Sequence, residues 1–339
     1  FTMLYIPRGP IMDYQNSELV AFMLQSIKTY AKSKRAVFAK FDPSLFLRKG
    51  LIGQEAKHQE ATLAIIQSLK ECGVEWVGRT EDMGETIQPR FQANIYKEYF
   101  TEDQLSKSTK QAIRTARNKG VEVIFGGTEL LDEFAALMKK TEARKGIHLR
   151  GKDYYEKLLT TYAGQSYITL SRINLAQRLA SLKEQLEKNQ AEASRFNEKT
   201  KPGKVDNNRQ EKERLEEEIQ FLLQELKAGQ EIVSLSGTLT LEFGGTSENV
   251  YAGMDENFRR YQPAILTWYE TAQHAFDRGA DWQNMGGVEN HLDGGLYHFK
   301  SKFNPMIEEF VGEFNLPTSI LYPLVNKAYQ LRKKLRNKQ

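Results

Sequence analysis

The sequence predicts a mixed α/β protein of two domains that carries an antiparallel helical coiled-coil arm inserted between two strands. Three observations predict it. At 339 residues the chain exceeds what one hydrophobic core usually organises. Short runs of apolar/polar alternation exchange with amphipathic helical stretches along most of its length. Between Asn174 and Lys227 apolar residues recur instead at steps of four and three, on a background of Lys, Glu, Gln, Arg and Asn.

The elements follow in order. Residues 3–6 are a short apolar strand that stops at Pro7-Arg8-Gly9-Pro10. The prolines fix φ and lack an N–H, and Gly9 accepts conformations closed to other residues, so this is a rigid corner carrying an arginine. A polar run from Asp13 then caps a long helix. Residues 37–41 form a strand ending at Asp42-Pro43, 63–72 a helix, and 86–96 another strand. A helix from Lys107 to Lys119 stops at Gly120, a normal C-terminal position. Strand 121–125, helices 130–146 and 154–162, and strand 166–173 lead into the arm. Its first helix has the seam Leu175, Leu179, Leu182, Leu186, Asn189, Ala193 and Phe196, and Lys201-Pro202-Gly203 stops it. Leu215, Ile219, Leu222 and Leu226 repeat the rhythm in a second helix. Two such helices joined by a short turn are antiparallel neighbours, and a hairpin insertion keeps its ends close. Strand 233–243 leaves the arm, 249–253 follows, 265–278 is helical, and 282–285 precedes a glycine-rich turn.

Composition excludes more than it selects. With 40% hydrophobic and 27% charged residues the chain reads as an ordinary globular protein, and its apolar runs fall well short of the ~20 residues that cross a bilayer. It opens at Phe1 inside a strand, so further sequence upstream is expected and the lack of a leader decides nothing. Cys72 is alone, which leaves neither an intrachain disulfide nor a thiolate cluster and suits a reducing compartment. The five histidines show no metal spacing, so no metal is expected. Net charge is only +4, but Lys107, Lys110, Arg114 and Arg117 share one helix face and Arg332, Lys333, Lys334, Arg336 and Lys338 close the chain. Such patches suit phosphate backbones or anionic head groups; plain solvation accounts equally well for the stripe and somewhat better for the tail.

No G-x-S-x-G elbow, Walker loop or G-x-G-x-x-G is present. Gln283-Asn284-Met285-Gly286-Gly287-Val288 approaches the Q/R-x-x-G-x-G/A loop that holds the CoA pyrophosphate, but Val288 stands where a small residue must let backbone N–H groups reach phosphate. Two Gly-Gly pairs, 286–287 and 294–295, frame a loop leading to Phe299 and Lys300. A lysine ammonium in a desolvated cleft can stabilise an oxyanion in acyl transfer, whereas on residue type alone a surface lysine serves as well.

Taken together, Tyr5-Ile6-Pro7-Arg8-Gly9-Pro10 with Asp13, Phe41-Asp42-Pro43, Thr86-Ile87-Gln88-Pro89-Arg90, the helix carrying Lys107, Lys110, Arg114 and Arg117, Met138 to Arg150 with Tyr154-Tyr155, Tyr251-Ala252-Gly253 and Gly294-Gly295-Leu296-Tyr297-His298-Phe299-Lys300 resemble the Fem family of peptidoglycan branch-forming aminoacyltransferases. The inserted arm is similar to that of the members using lipid-linked precursors (FemA, FemB, MurM, MurN), and the wording is most similar to the MurN kind. The resemblance covers essentially the whole chain. It implies two acetyltransferase-like (GNAT-like) domains: 1–85 completed by 316–339, and 86–170 with 231–315, the arm being 171–230. It implies transfer of an amino acid, alanine as the second residue of a dipeptide branch, from aminoacyl-tRNA to the lysine branch of a lipid II-type precursor. No cofactor is implied. The place implied is the cytoplasmic, inner face of the cell membrane, with peripheral membrane association.

By the same resemblance Arg150, Tyr154 and Tyr251 hold the phosphate region of the precursor, while Phe299 and Lys300 stand at the transfer site, Lys300 stabilising the tetrahedral intermediate. A further family lysine that grips the precursor lies upstream of this sequence. The physics is compatible: arginine forks match phosphate oxygens, and Arg150 and Tyr154, four apart, share a face if the turn is helical. Aminolysis of an ester is downhill, so orientation and electrostatics suffice without a strong base. Asp42 and Glu313 are the candidate carboxylates, although Asp42 before Pro43 suits a turn. The stripe Lys107, Lys110, Arg114, Arg117 receives either tRNA or the precursor. A CoA-dependent N-acyltransferase and a non-catalytic tRNA- or partner-binding module are the alternatives.

Overall fold

A computed structural model describes residues 2–336. Strand β1 (Thr2–Ile6) pairs parallel with β2 (Ala36–Phe41), and α1 (Ser17–Ser33) makes the crossover. The Asn16 side chain accepts the Leu19 N–H at 3.0 Å and so starts that helix. Then come β3 (Phe46–Leu51), the two-residue β4 (Lys57–His58), α2 (Glu60–Glu71), β5 (Glu75–Trp76) and β6 (Phe91–Tyr96). The strand expected over 86–96 thus loses its first half. Pro89 has no N–H for a ladder, and the Ile87 N–H goes to Glu313 Oε1 at 2.6 Å.

The next stretch is α3 (Lys107–Asn118), β7 (Val121–Gly126), α4 (Leu131–Lys145), α5 (Lys152–Thr161) and β8 (Ser166–Asn174). The arm is α6 (Leu175–Ala193) and α7 (Pro202–Lys227), followed by β9 (Ile232–Phe243), β10 (Thr246–Met254) and α8 (Pro263–Asp277). β11 (Trp282–Val288), α9 (Gly295–Lys300), β12 (Met306–Phe310), β13 (Phe314–Pro317) and α10 (Tyr322–Arg336) complete the chain.

Two compact units result: everything up to Ser106 together with Asp281 onward, and Lys107–Ala280. The expected boundaries at 85/86 and 315/316 therefore move. The reason lies in the contacts of β3, β6, β11 and β12, which all belong to the first unit: β12 is hydrogen-bonded antiparallel to β3 on one edge and β6 on the other, and β6 pairs with β11. In the same unit β13 lies between β2 and β5, and its core gathers Val20, Leu24, Ala39, Phe41, Ile66, Leu69, Val311 and Phe314.

In the second unit β7, β8, β9 and β10 form an antiparallel run in the order β10-β9-β8-β7. Leu239 packs with Phe134, Leu137 and Met138 of α4 and with Tyr155 and Leu159 of α5. Its neighbour Thr238 meets Thr271 of α8 at 3.1 Å. Successive strand residues face opposite ways, so helices cover both faces. The arm grows from the end of a ladder, since Asn174 pairs with Ile232 and the Leu175 N–H donates to the Glu231 carbonyl at 2.9 Å. Leu175, Leu179, Leu182 and Asn189 are buried on one helix, Leu215, Ile219 and Leu222 on the other. Two details differ from expectation: α6 ends before Phe196, and Pro202 opens α7 instead of stopping α6, as suits a residue with no N–H to place.

Five strands escaped the sequence reading: β3, β4, β5, β12 and β13. β12 reads Met-Ile-Glu-Glu-Phe, a polar signature, yet both glutamates are buried because each is paired. Glu308 takes Lys49 at 2.7 Å and the Asn94 amide and Tyr96 hydroxyl at 2.6 Å. Glu309 takes Arg48 at 2.5 Å and Arg90.

Candidate active site

Phe299 and Lys300 end α9, a helix of six residues whose start is sealed by one carboxylate. Glu289 accepts the N–H groups of Leu296 and Tyr297, both at 2.9 Å. Burial pushes the Glu289 pKa up, but these N–H groups and the nearby Lys300 charge outweigh it and hold the carboxyl below its ordinary value. Lys300 is 6% exposed, and its ammonium donates to the Gly287 carbonyl at 2.7 Å. It is therefore a buried lysine, not a surface one. The Phe299 ring is half-buried and sits 5.5 Å from Phe303.

The lysine's acceptor comes from a strand irregularity. β11 is bulged between Asn284 and Gly287, with Gly286 at φ +82° and its N–H on Asn284 Oδ1 at 2.7 Å. A Cβ on Gly287 would stand 2.6 Å from Pro89 Cβ, so that position takes glycine only. The expected glycine-rich turn after 282–285 is thus the continuation of a strand. Gln283 is fully buried in it, and 283–288 does not form a phosphate loop at a helix start.

Arg150, Tyr154 and Tyr251 come together in the second unit. The Arg150 guanidinium lies 5.1 Å from the Tyr154 ring, and that ring is 6.2 Å from Tyr251. They do not share a helix face as expected: α5 starts only at Lys152, behind the cap residue Gly151, and Arg150 reaches Tyr154 from the preceding segment. Tyr155 closes the cluster from below, 1% exposed and edge-on to Tyr251 at 5.0 Å. Burial pushes the Tyr155 phenol up to about 12 and raises that of Tyr251 as well, where Tyr154 adds and Arg150 opposes. Exposed Arg150 and Tyr154 over this aromatic floor present a guanidinium fork and a phenol hydroxyl, a donor set suited to phosphate oxygens.

On α3, Thr109, Ile113 and Ala116 are buried, while Lys107, Arg114 and Arg117 are exposed and Lys110 is half-buried. The stripe is not uniform in charge. Arg117 binds Glu270 at 2.6 Å, whereas Lys107, Lys110 and Arg114 have no ion pair among the described residues. Of the C-terminal cluster, Lys338 and the side chains of Lys334 and Arg336 lie outside the described residues.

The two candidate carboxylates have structural duties. Asp42 accepts the Tyr5 hydroxyl at 2.7 Å and the Arg8 N–H at 2.6 Å; burial raises its pKa against these bonds. Glu313 is buried on Lys40 at 2.5 Å. The Pro-Arg-Gly-Pro corner is held from both sides, since the Arg8 guanidinium stacks 3.8 Å over Phe310 and donates to the Pro89 carbonyl at 3.3 Å. Sequence reading missed Glu289, the Gly287 carbonyl and the packing role of Tyr155. The acidic residue just before a Gly-Gly helix start was the one available signal, for Glu289.

A model described as the FemAB family matches residues 1–334. Two proteins of Staphylococcus aureus, strains USA300 and NCTC 8325, each named lipid II:glycine glycyltransferase, are 28% identical to this chain over 98% of its length and 79% of theirs. Among solved structures the crystal structure of FemX is similar with a TM-score of 0.68 at 25% identity, over 97% of this chain and 82% of that one.

Proposed function

This chain belongs to the FemAB family, and on that premise we propose that it is an aminoacyltransferase of peptidoglycan branch formation that moves an amino acid from aminoacyl-tRNA to the lysine branch of a lipid II-type precursor. The observation that carries the reading is the buried Lys300, whose ammonium is fixed 2.7 Å from the Gly287 carbonyl by a bulge that needs glycine. Attack of the acceptor amine on the ester carbonyl forms a C–N bond and puts negative charge on the carbonyl oxygen. A pre-oriented ammonium in a water-poor setting stabilises that oxyanion most, and collapse then breaks the ester C–O bond. Arg150, with Tyr154 and Tyr251, grips the phosphate region of the precursor, and Phe299 supports the transfer site. Lys107, Lys110 and Arg114 meet phosphates of the tRNA or the precursor. The donor is alanine, placed as the second residue of a dipeptide branch, and the protein works peripherally at the cytoplasmic membrane face.

The test offers alanyl-, seryl- and glycyl-tRNA with precursor bearing no branch residue or one, and reads the stem peptide by mass spectrometry. The expected result is one added alanyl residue on the pre-branched acceptor alone. Lys300→Ala should lower turnover by about 10²–10³-fold with little change in KM. Unchanged turnover in that variant overturns the role of Lys300; transfer of glycine or serine in preference overturns the donor.

A further inference from the structure

Glu313 is the last acidic residue in the chain; after it come Lys327, Arg332, Lys333, Lys334, Arg336 and Lys338 and no Asp or Glu. Most of this segment is α10, and its docked side is aromatic and polar. Tyr322 packs edge-on to Phe38 at 5.3 Å with its hydroxyl on Glu75, Tyr329 lies 6.3 Å from the same Phe38 ring, and the Lys333 ammonium donates to the Glu85 carbonyl. The leucines point away from that face. Leu324, Leu331 and Leu335 are 70%, 61% and 61% exposed, and Ile320 just ahead of the helix is 96% exposed. At about 100° per residue the three leucines fall within roughly 40° of one another, with exposed Lys327 and Arg332 on opposite flanks.

We propose that α10 docks the protein on an anionic lipid surface, lying along the head-group plane with Leu324, Leu331 and Leu335 inserted and Lys327 and Arg332 at lipid phosphates. Apolar insertion and attraction of basic residues to anionic lipid reinforce each other in this arrangement, and the long basic side chains reach past the ridge to the head groups. The alternatives use only half of the surface. A nucleic acid would neutralise the cations but leave the leucines in water. A second copy would bring an equally basic ridge against this one. The inference deepens the reading above, in which the acceptor is lipid-linked, but its test needs no turnover.

The full chain is floated with vesicles of phosphatidylcholine alone or with about a third phosphatidylglycerol, across a salt series. The wild type should bind the anionic vesicles about tenfold or more tightly than the neutral ones, increasingly so at low salt. Leu331→Gln/Leu335→Gln and Lys327→Gln/Arg332→Gln, both at exposed positions, should each weaken binding about tenfold, and the second should flatten the salt dependence. Unchanged vesicle binding by the leucine variant overturns the proposal. So does a wild-type dimer in sedimentation that this variant dissolves, or loss of its tRNA binding with vesicle binding intact. Failed flotation with transfer intact removes this inference alone, and failed transfer with flotation intact removes only the functional reading.

Discussion

At the residue scale the first unit is organised by charges it hides. Lys40 and Glu313 are both buried and joined at 2.5 Å, and Glu313 also accepts the Ile87 N–H. Removing one partner leaves an uncompensated buried charge, so Lys40→Met should cost about 3–5 kcal/mol in urea unfolding, and the double variant Lys40→Met/Glu313→Leu should regain much of it. A single-variant cost under about 1 kcal/mol would sink the argument. His274 gives a pH prediction. It stacks on Phe125 at 4.0 Å with Tyr167 edge-on at 4.9 Å, and burial first, then Arg278, lowers its pKa from the usual 6.5. Above that value His274 is neutral both folded and unfolded. As pH falls below it the unfolded chain takes the proton first, so stability drops until the folded pKa is passed. Wild type should lose more Tm between about pH 7.5 and 5 than His274→Phe. Equal losses would remove His274 from the acid response.

At the scale of elements, α3 shows how a pattern can be legible while its chemistry is not. The spacing of Lys107, Lys110, Arg114 and Arg117 was enough to place them on one face. Nothing near Arg117 in sequence announced Glu270, its partner on α8. If the stripe contacts phosphate, replacing Lys107, Lys110 and Arg114 by Gln should reduce the slope of log affinity against log salt by about 2–3 for aminoacyl-tRNA. Arg117→Gln should change it less. A slope untouched by the triple variant sends the stripe back to plain solvation. The arm tells the same story: its leucine seam and Asn189 were readable from period alone, and Asn189 and Asn208 exchange side-chain-to-carbonyl bonds at 3.0 Å. The buried Arg178–Glu218 pair at 2.7 Å was invisible, because each residue looks like one more solvated charge. β12 was missed for that reason too: alternation rules assume that glutamate faces water, and Glu308 and Glu309 do not.

For the whole molecule, mixed α/β character and the inserted arm were legible because both rest on local periodicity. The unit boundaries were not, since they depend on contacts between segments far apart in sequence. Residues 107–280 form one uninterrupted stretch with their own sheet run and core, so that fragment should express as a monomer with helical and strand CD and a cooperative melt. A broad, non-cooperative transition would show that its core needs the rest of the chain.

The unit made of two segments carries a consequence for synthesis. β12 fills the place between β3 and β6, and β13 that between β2 and β5, but each is translated only after both of the strands it joins. At about 5–20 residues per second, the ribosome needs on the order of 10–40 s to go from β6 to β12. During that interval Phe91, Ala93 and Ile95, all buried in the finished protein, wait on a strand with an unfilled edge. Over the same interval the intervening unit is being completed. The nascent chain is thus a natural client for a holding chaperone, and slow codons between β6 and β12 would lengthen its exposure.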